Sequence, residues 1–304
     1  MTELSLARYK ELAQYSQLCG HKIAYWQSYA PALAKKKDTI LFIHGFPSAS
    51  WDWHYQWKYL AREYSLLCSD MLGFGLSAKP QKYRYSLIEQ ADIYEALLLE
   101  KGIGDYHILA HDYGDSVAQE LLYRQSLRAK TGEQTHAQLR SVCFLNGGIF
   151  AACHRPLLTQ RLLKSRLGPL LVKFLSKDSL TASFAKIFGQ QSQAKKSHVD
   201  IIWELIRYND GHLAMPAILR YIDERSEWGG RWVEAMINAS VPLYFINGIQ
   251  DPISGRHMLD HYIDVIPNAH TALLDVGHYP QLEAPEEVLS LYQEFLSSLV
   301  TRDE

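Results

Sequence analysis

The sequence predicts an α/β fold: a mostly parallel, eight-stranded sheet flanked by helices, with an all-helical insertion. Three observations carry this. Short apolar runs, each followed by Gly or Asp, alternate with stretches of helical period. The runs are apolar on both faces, as strands covered on both sides must be. The alternation lapses once, between residues 149 and 232, where no strand is legible.

Leu12–Gln17 and Lys22–Ser28 predict an opening antiparallel hairpin that turns at Gly20. Six more strands follow over Thr39–Ile43, Tyr64–Ser69, Tyr106–Ala110, Leu139–Leu145, Pro242–Ile246 and Thr271–Leu274. Among the helices, Trp53, Trp57 and Leu60 share one face, and Ser116, Val117, Ala118, Leu121 and Leu122 open another helix. The last helix buries Val288, Leu291, Tyr292, Phe295 and Leu299. It opens with Pro285 and Glu286–Glu287, residues that a helix N-terminus prefers. Thr131–Gln138 reads as a polar loop. The interrupting segment predicts helices at Pro156–Leu167, Leu170–Leu175, Val199–Arg207 and Met215–Tyr221. A helical insertion of this kind is expected to cover the carboxyl ends of the strands, where ligands bind in such sheets. The expected division is therefore a core of residues 1–148 and 233–304 and a helical cap of residues 149–232.

With 304 residues, the chain can hold one large core plus such an insertion. Lys and Arg number 31 against 33 Asp and Glu, a net charge of −2, so no global charge points to nucleic acid. No apolar run approaches the roughly 18 residues of a membrane span. MTELSLARYKELAQ lacks the basic-then-apolar pattern of a secretory signal, so a cytoplasmic location is expected. Cys19, Cys68, Cys143 and Cys153 lack metal-like spacing, and Cys68 and Cys143 lie in strand-like runs as small core residues. Neither a metal nor a cofactor is implied. From Arg155 to Asp200 the cap carries nine Lys/Arg against two Asp, either as solvated helix faces or as an attraction for an anionic partner.

The chemistry centres on LAHDYGDSVAQ, residues 109–119. A strand, a tight turn with Asp112 at its tip, Gly114 and a helix would project one side chain above the sheet edge. Asp112 is then either a helix cap or a nucleophile, because the free N–H groups of a helix start keep a carboxylate ionised. As a nucleophile toward an sp3 carbon it would become an ester. His278, in a Gly-His turn after the last strand, is the base that could hydrolyse that ester. Asp251, again just past a strand, would orient the imidazole, or simply make a turn before Pro252. In FIHGFPSASWDW, Gly45 permits close backbone approach, and the amides of Phe46 and Tyr113 would form an oxyanion hole. The G-x-G of Met71–Ser77 lacks the third glycine and the basic residue of a phosphate cradle.

HGFP at 44–47, DMLGFGLSAKP at 70–80, HDYGD at 111–115, the acid of GIQDP and GHYPQLE at 277–283 together resemble the α/β-hydrolase superfamily. The branch is that of epoxide hydrolases and haloalkane dehalogenases, whose nucleophile is aspartate. The order nucleophile, acid, histidine matches that superfamily. HDYGDSVAQELLYR, NGGIF, HRPLL, RYNDG, RWVEAM and HYPQLE resemble the mesoderm-specific-transcript-like hydrolases even through the cap. The resemblance implies the triad Asp112–His278–Asp251 and a small-molecule substrate, and it leaves oligomeric state open.

This chain departs from those relatives at three places. Dehalogenases hold halide with Trp after the nucleophile and with Asn or Trp beside the first oxyanion residue, where Tyr113 and Phe46 stand here. Epoxide hydrolases donate to the epoxide oxygen from two cap tyrosines. The cap offers Tyr208 and Tyr221, with His154 or Arg155 as a replacement for one, and His44 is a further candidate contact. Asp115 adds a second carboxylate, expected either to pair with cap bases or to face solvent; close to Asp112, like-charge repulsion would raise a carboxyl pKa and blunt the nucleophile. The expected activity is epoxide hydrolysis on a small or lipid-like apolar substrate. The rivals are halide or ester hydrolysis, and a binding scaffold with a degraded site.

Overall fold

Five consecutive buried residues, Thr39–Ile43, form the strand at the heart of the sheet, with strands on both sides and helices over both faces. The computed structural model describes residues 3–29, 38–133 and 137–300. The strands are β1 Gln14–Leu18, β2 His21–Ser28, β3 Thr39–Ile43, β4 Ser65–Ser69, β5 Asp105–His111, β6 Gln138–Leu145, β7 Leu243–Gly248 and β8 Thr271–Leu274. They lie in the order β1-β2-β4-β3-β5-β6-β7-β8. β1 and β2 pair antiparallel at one edge, and all pairs from β4 to β8 are parallel. The carboxyl ends of β3, β5, β6, β7 and β8 therefore share one edge.

The hairpin turns where expected, with Cys19 and Gly20 both at positive φ. Its first strand starts later than expected, because Leu6–Leu12 is a helix. Ser5 caps that helix, accepting from Arg8 N–H, and its buried Tyr9 stacks on Trp26 at 4.1 Å. Of the expected loop Thr131–Gln138, Thr131 ends a helix closed by left-handed Gly132 and Gln138 opens β6; residues 134–136 lie outside the described residues.

Between β6 and β7 the described chain contains helices and no strand. The expected helix Pro156–Leu167 is shorter, Leu158–Lys164, and the next begins at Gly168, where a Cβ would stand 1.8 Å from Leu163 O. The helix expected over Leu170–Leu175 is one α-turn, Gly168–Leu171, followed by a 3-10 turn, Val172–Phe174. Lys177–Ile187 and Tyr221–Ile237 are further helices, the second running past residue 232. Lys177–Ile187, which the expected helices omit, buries Leu180, Phe184 and Ile187 at the i, i+4, i+7 spacing of an amphipathic helix.

The helical insert is tied to the core through charges. Glu120, on the helix Tyr113–Thr131, accepts from Arg231 Nη2 at 2.6 Å and Trp232 Nε1 at 2.7 Å. Glu224 accepts from Leu87 N–H at 2.7 Å, at the start of the helix Leu87–Glu100. Among the described residues no helix is long and apolar enough to cross a membrane.

Candidate active site

Asp112 sits between β5 and the helix Tyr113–Thr131 with φ 48° and ψ −103°, a backbone shape that L-residues rarely adopt. The shape needs room, and two glycines provide it. A Cβ at Gly114 would stand 2.4 Å from Ile43 O, and one at Gly45 would stand 2.6 Å from His111 Nδ1. The loop after β3 thus presses onto the elbow. There Phe46 N–H donates to Asp112 Oδ2 at 3.2 Å. Tyr113 N–H heads the helix, where no intrahelical acceptor exists.

His278 Nδ1 donates to Asp251 Oδ2 at 2.7 Å, and Nε2 faces Asp112 Oδ2 at 4.0 Å. Asp251 also accepts from Ile253 N–H, Ser254 N–H, Ser254 Oγ and Asn146 Nδ2. Burial would raise its pKa, but the charge and hydrogen bond of His278 and these donors bring it down to about 2. Burial alone would depress His278; Asp251 and then Asp112 more than reverse that, raising it to about 9. The resting imidazole is therefore an imidazolium between two carboxylates. Asp112 is pushed up by burial but held below the usual carboxylate range by His278 and Arg225.

Arg225, from the insert helix Tyr221–Ile237, is the contributor that sequence reasoning missed. It is fully buried, with Nε donating to Ser116 Oγ at 2.8 Å and Nη2 to Asp112 O at 2.8 Å and Oδ1 at 3.4 Å. Its Nη1 donates to His154 Nδ1 at 3.4 Å, and its guanidinium lies 4.5 Å from the Tyr221 ring centroid. One sequence signal could have found it: Tyr221, Arg225, Trp232 and Met236 fall on one buried helical face, so an arginine stands among apolar residues.

Three further residues hold the His278 turn in place. His111 Nε2 donates to His278 O at 2.7 Å. Asn146 bridges the ends of β6 and β7, accepting from Gly248 N–H at 2.6 Å while donating to Gly248 O. Glu283 accepts from Gly277, Tyr279 and Gly189 amides, which ties the His278 turn to the end of the insert helix Lys177–Ile187.

Of the candidate contacts, Tyr221 and His154 come together at Asp112, whereas His44, Arg155 and Tyr208 do not. The Tyr221 ring packs on Phe46 and Tyr113, and its buried hydroxyl has Arg225 as its polar neighbour, without a well-formed hydrogen bond among the described residues. Burial, reinforced by Asp112, raises its pKa, so the hydroxyl keeps its proton. Burial and then Arg225 lower His154 to about 3; its neutral ring accepts at Nδ1 and leaves Nε2 unpartnered among the described residues. His44 is a brace instead: Nδ1 donates to Gly45 O and Nε2 accepts from Met71 N–H. Arg155 is exposed, meeting the core through its backbone N–H to Ile253 O. The Tyr208 ring lies between Lys10 and Lys79, which makes it a packing partner of the N-terminal helix. Asp115 neither pairs nor faces solvent. It is buried against Gly147, both oxygens are unpartnered among the described residues, and burial, then Asp112, raises its pKa well above the usual range. The Met71–Ser77 turn closes on Asp70, which accepts from Leu76 and Ser50 amides and leaves no anion cradle there.

A cavity of about 260 Å3 runs from Phe46 and His278 outward beneath the insert, walled mainly by apolar side chains such as Leu163, Leu180, Phe184 and Leu219. An acid on a strained strand–helix elbow, a carboxylate-held histidine after the last strand and an apolar pocket under helices define an α/β-hydrolase. Residues 40–291 match the alpha/beta hydrolase family, and the chain belongs to that family. Within it the chain is similar to the mesoderm-specific transcript protein of Mus musculus and its homologue in Homo sapiens. Both are 37% identical over 302 residues, covering 97% of this chain and 88% of the relative. The putative hydrolase LipZ of Mycobacterium tuberculosis is 35% identical over 251 residues, covering 82% of this chain and 84% of its own. In fold the chain is similar to haloalkane dehalogenase DbeA of Bradyrhizobium elkanii, with a TM-score of 0.76 at 16% identity over 95% of this chain and 99% of that one. The epoxide hydrolase CorEH superposes with a TM-score of 0.75 at 15% identity over 94% and 99%.

Proposed function

We propose that this hydrolase opens small or lipid-like apolar epoxides through a covalent ester on Asp112, under a helical cap formed by the insert. The observation that carries the reading is an ionised, elbow-mounted Asp112 flanked by Phe46 and Tyr113, the two residues on which the buried, protonated Tyr221 packs. A hydrolase of ordinary esters has no need for a carboxylate nucleophile, whereas an epoxide needs both an attacking anion and a proton donor. Halide release is less well served, because the buried Tyr113 hydroxyl is engaged by Gln90.

In the first step Asp112 Oδ1 attacks an epoxide carbon, the C–O bond breaks and the alkoxide takes the Tyr221 proton. The Nε2–H of His154 is the second donor to that oxygen. Ester formation removes the charge of Asp112, one of the influences that raise His278, so the imidazolium becomes more acidic and returns a proton to Tyr221. Neutral His278 then takes a proton from water as hydroxide adds to the ester carbonyl, with the Phe46 and Tyr113 amides holding the oxyanion. Collapse releases the diol, protonated through His278, and restores the carboxylate and imidazolium.

The test is His278→Gln incubated with a panel of aliphatic epoxides and read by intact-protein mass spectrometry. An adduct equal to the substrate mass, localised to Asp112 and absent from Asp112→Asn, is the expected result. Wild-type turnover of the same compounds with no adduct in His278→Gln would overturn the ester. A wild type that turns over none of them would overturn the substrate class.

A further inference from the structure

We propose that the cap surface spanning Leu158 to Phe174 docks onto an anionic phospholipid bilayer, so that the apolar cavity opens into the lipid. Leu158, Leu167, Leu170 and Phe174 are 71, 63, 56 and 77% exposed. Scattered exposed apolar residues are ordinary, but here they crowd two short helices and a 3-10 turn of one segment. The bend at Gly168, which has no room for a side chain, leaves Leu167 at the corner between the helices.

Within the segment itself the charges have one sign, and the acids beside it, Asp178, Asp200 and Asp223, are outnumbered. Arg155, Arg161, Lys164, Arg166, Lys173 and Lys177 lie in the stretch 155–177, which contains no Asp or Glu. Lys164 and Lys177 pair with Asp223 and Asp200, whereas Arg161, Arg166 and Lys173 form no ion pair among the described residues. A chain of net charge −2 thus presents a local cationic, apolar face, the combination that holds a protein at an anionic lipid surface. A second copy of the chain fits this face poorly, because two cationic rims would be apposed.

The cavity ties the face to the site. Leu162 and Phe174 belong both to its wall and to the exposed surface, while Phe46 and His278 stand at its inner end. A molecule leaving a bilayer at this patch would pass between apolar walls from lipid to His278 without crossing water. Docking rests on this geometry and not on the chemistry assigned to Asp112, and its readout involves no turnover.

The experiment is sedimentation of the full chain with vesicles of phosphatidylcholine alone or with about one third phosphatidylglycerol. Wild type is expected to pellet with the anionic vesicles and to be released by salt. The triple variant Arg161→Glu, Arg166→Glu, Lys173→Glu should lower the bound-to-free ratio by at least about tenfold, each basic side chain near the surface being worth roughly fivefold. Leu167→Ser with Leu170→Ser should also lose binding, and Lys130→Glu, on another face, should retain it, all with melting temperatures near wild type. Wild type left in the supernatant, equal binding to phosphatidylcholine alone, or full binding by the triple variant would overturn the proposal. A dimer in light scattering that Leu167→Ser with Leu170→Ser dissolves would assign the patch to a second copy instead.

Discussion

Arg225 reaches from the insert to three atoms of the elbow and touches both the backbone and the carboxylate of Asp112. A guanidinium suits this position because its rigid fork serves several acceptors at once, which lysine does not. Removing one member of a buried pair leaves the other uncompensated. Arg225→Met should therefore cost roughly 3 kcal/mol of stability in urea unfolding. Part of that loss should return when Asp112→Asn is added, because the stranded charge is then gone. Strictly additive losses in the double-mutant cycle would show that the two side chains do not interact. Arg225→Lys should recover less than half of the stability, since one ammonium cannot reach Ser116 Oγ and Asp112 O together.

At the level of elements, the elbow is a contact between backbones. Gly114, in the first turn of the helix Tyr113–Thr131, passes the end of β3 so closely that a Cβ would meet Ile43 O at 2.4 Å and His44 O at 2.7 Å. Gly114→Ala must move the helix start away from β3, and with it Asp112 and the Phe46 amide. The expected loss is about 2 kcal/mol of stability, together with a disproportionate loss of Asp112 labelling by epoxides. Unchanged melting would mean that the contact is softer than the distances imply. Gly132, at the other end of the same helix, sits in open space, and its positive φ is the sole reason for glycine there.

For the molecule as a whole, His278 and Asp115 move stability with pH in the same direction. The folded pKa of His278 is raised to about 9 from 6.5, so its contribution is complete below 6.5 and is lost as pH rises through 9. Asp115 is a buried acid whose pKa is raised; folded it keeps its proton, while unfolded it ionises above 3.8. Its effect on stability therefore also worsens as pH rises above 3.8. Asp251, lowered to about 2, contributes fully above 3.8 and loses its contribution only as pH falls through 2. Stability should thus fall from near-neutral toward alkaline pH. Asp115→Asn, which has the same shape but cannot ionise, should melt above wild type at about pH 8, with the gap closing toward about pH 4. A gap that is constant with pH, or a lower melting temperature throughout, would show that Asp115 is ionised in the fold.

The amino-acid sequence by itself determined the alternation of strands and helices, the elbow and the order Asp112, Asp251, His278. These are local matters: a short apolar run, a glycine beside a turn and a polar residue just past a strand are each written in a few consecutive positions. The parallel sheet then brings those positions to one edge, because every strand from β3 to β8 points the same way. Only the tertiary structure decided which residues of the insert face Asp112, since the rotation of a helix against the core follows from packing. That rotation turned Arg225 and Tyr221 inward, took Tyr208 to the N-terminal helix and left Arg155 at the surface. It also decided the state of Asp115. Sequence reading offered it a base or solvent; burial against Gly147 gave it neither, and a buried carboxyl beside the charge of Asp112 holds its proton.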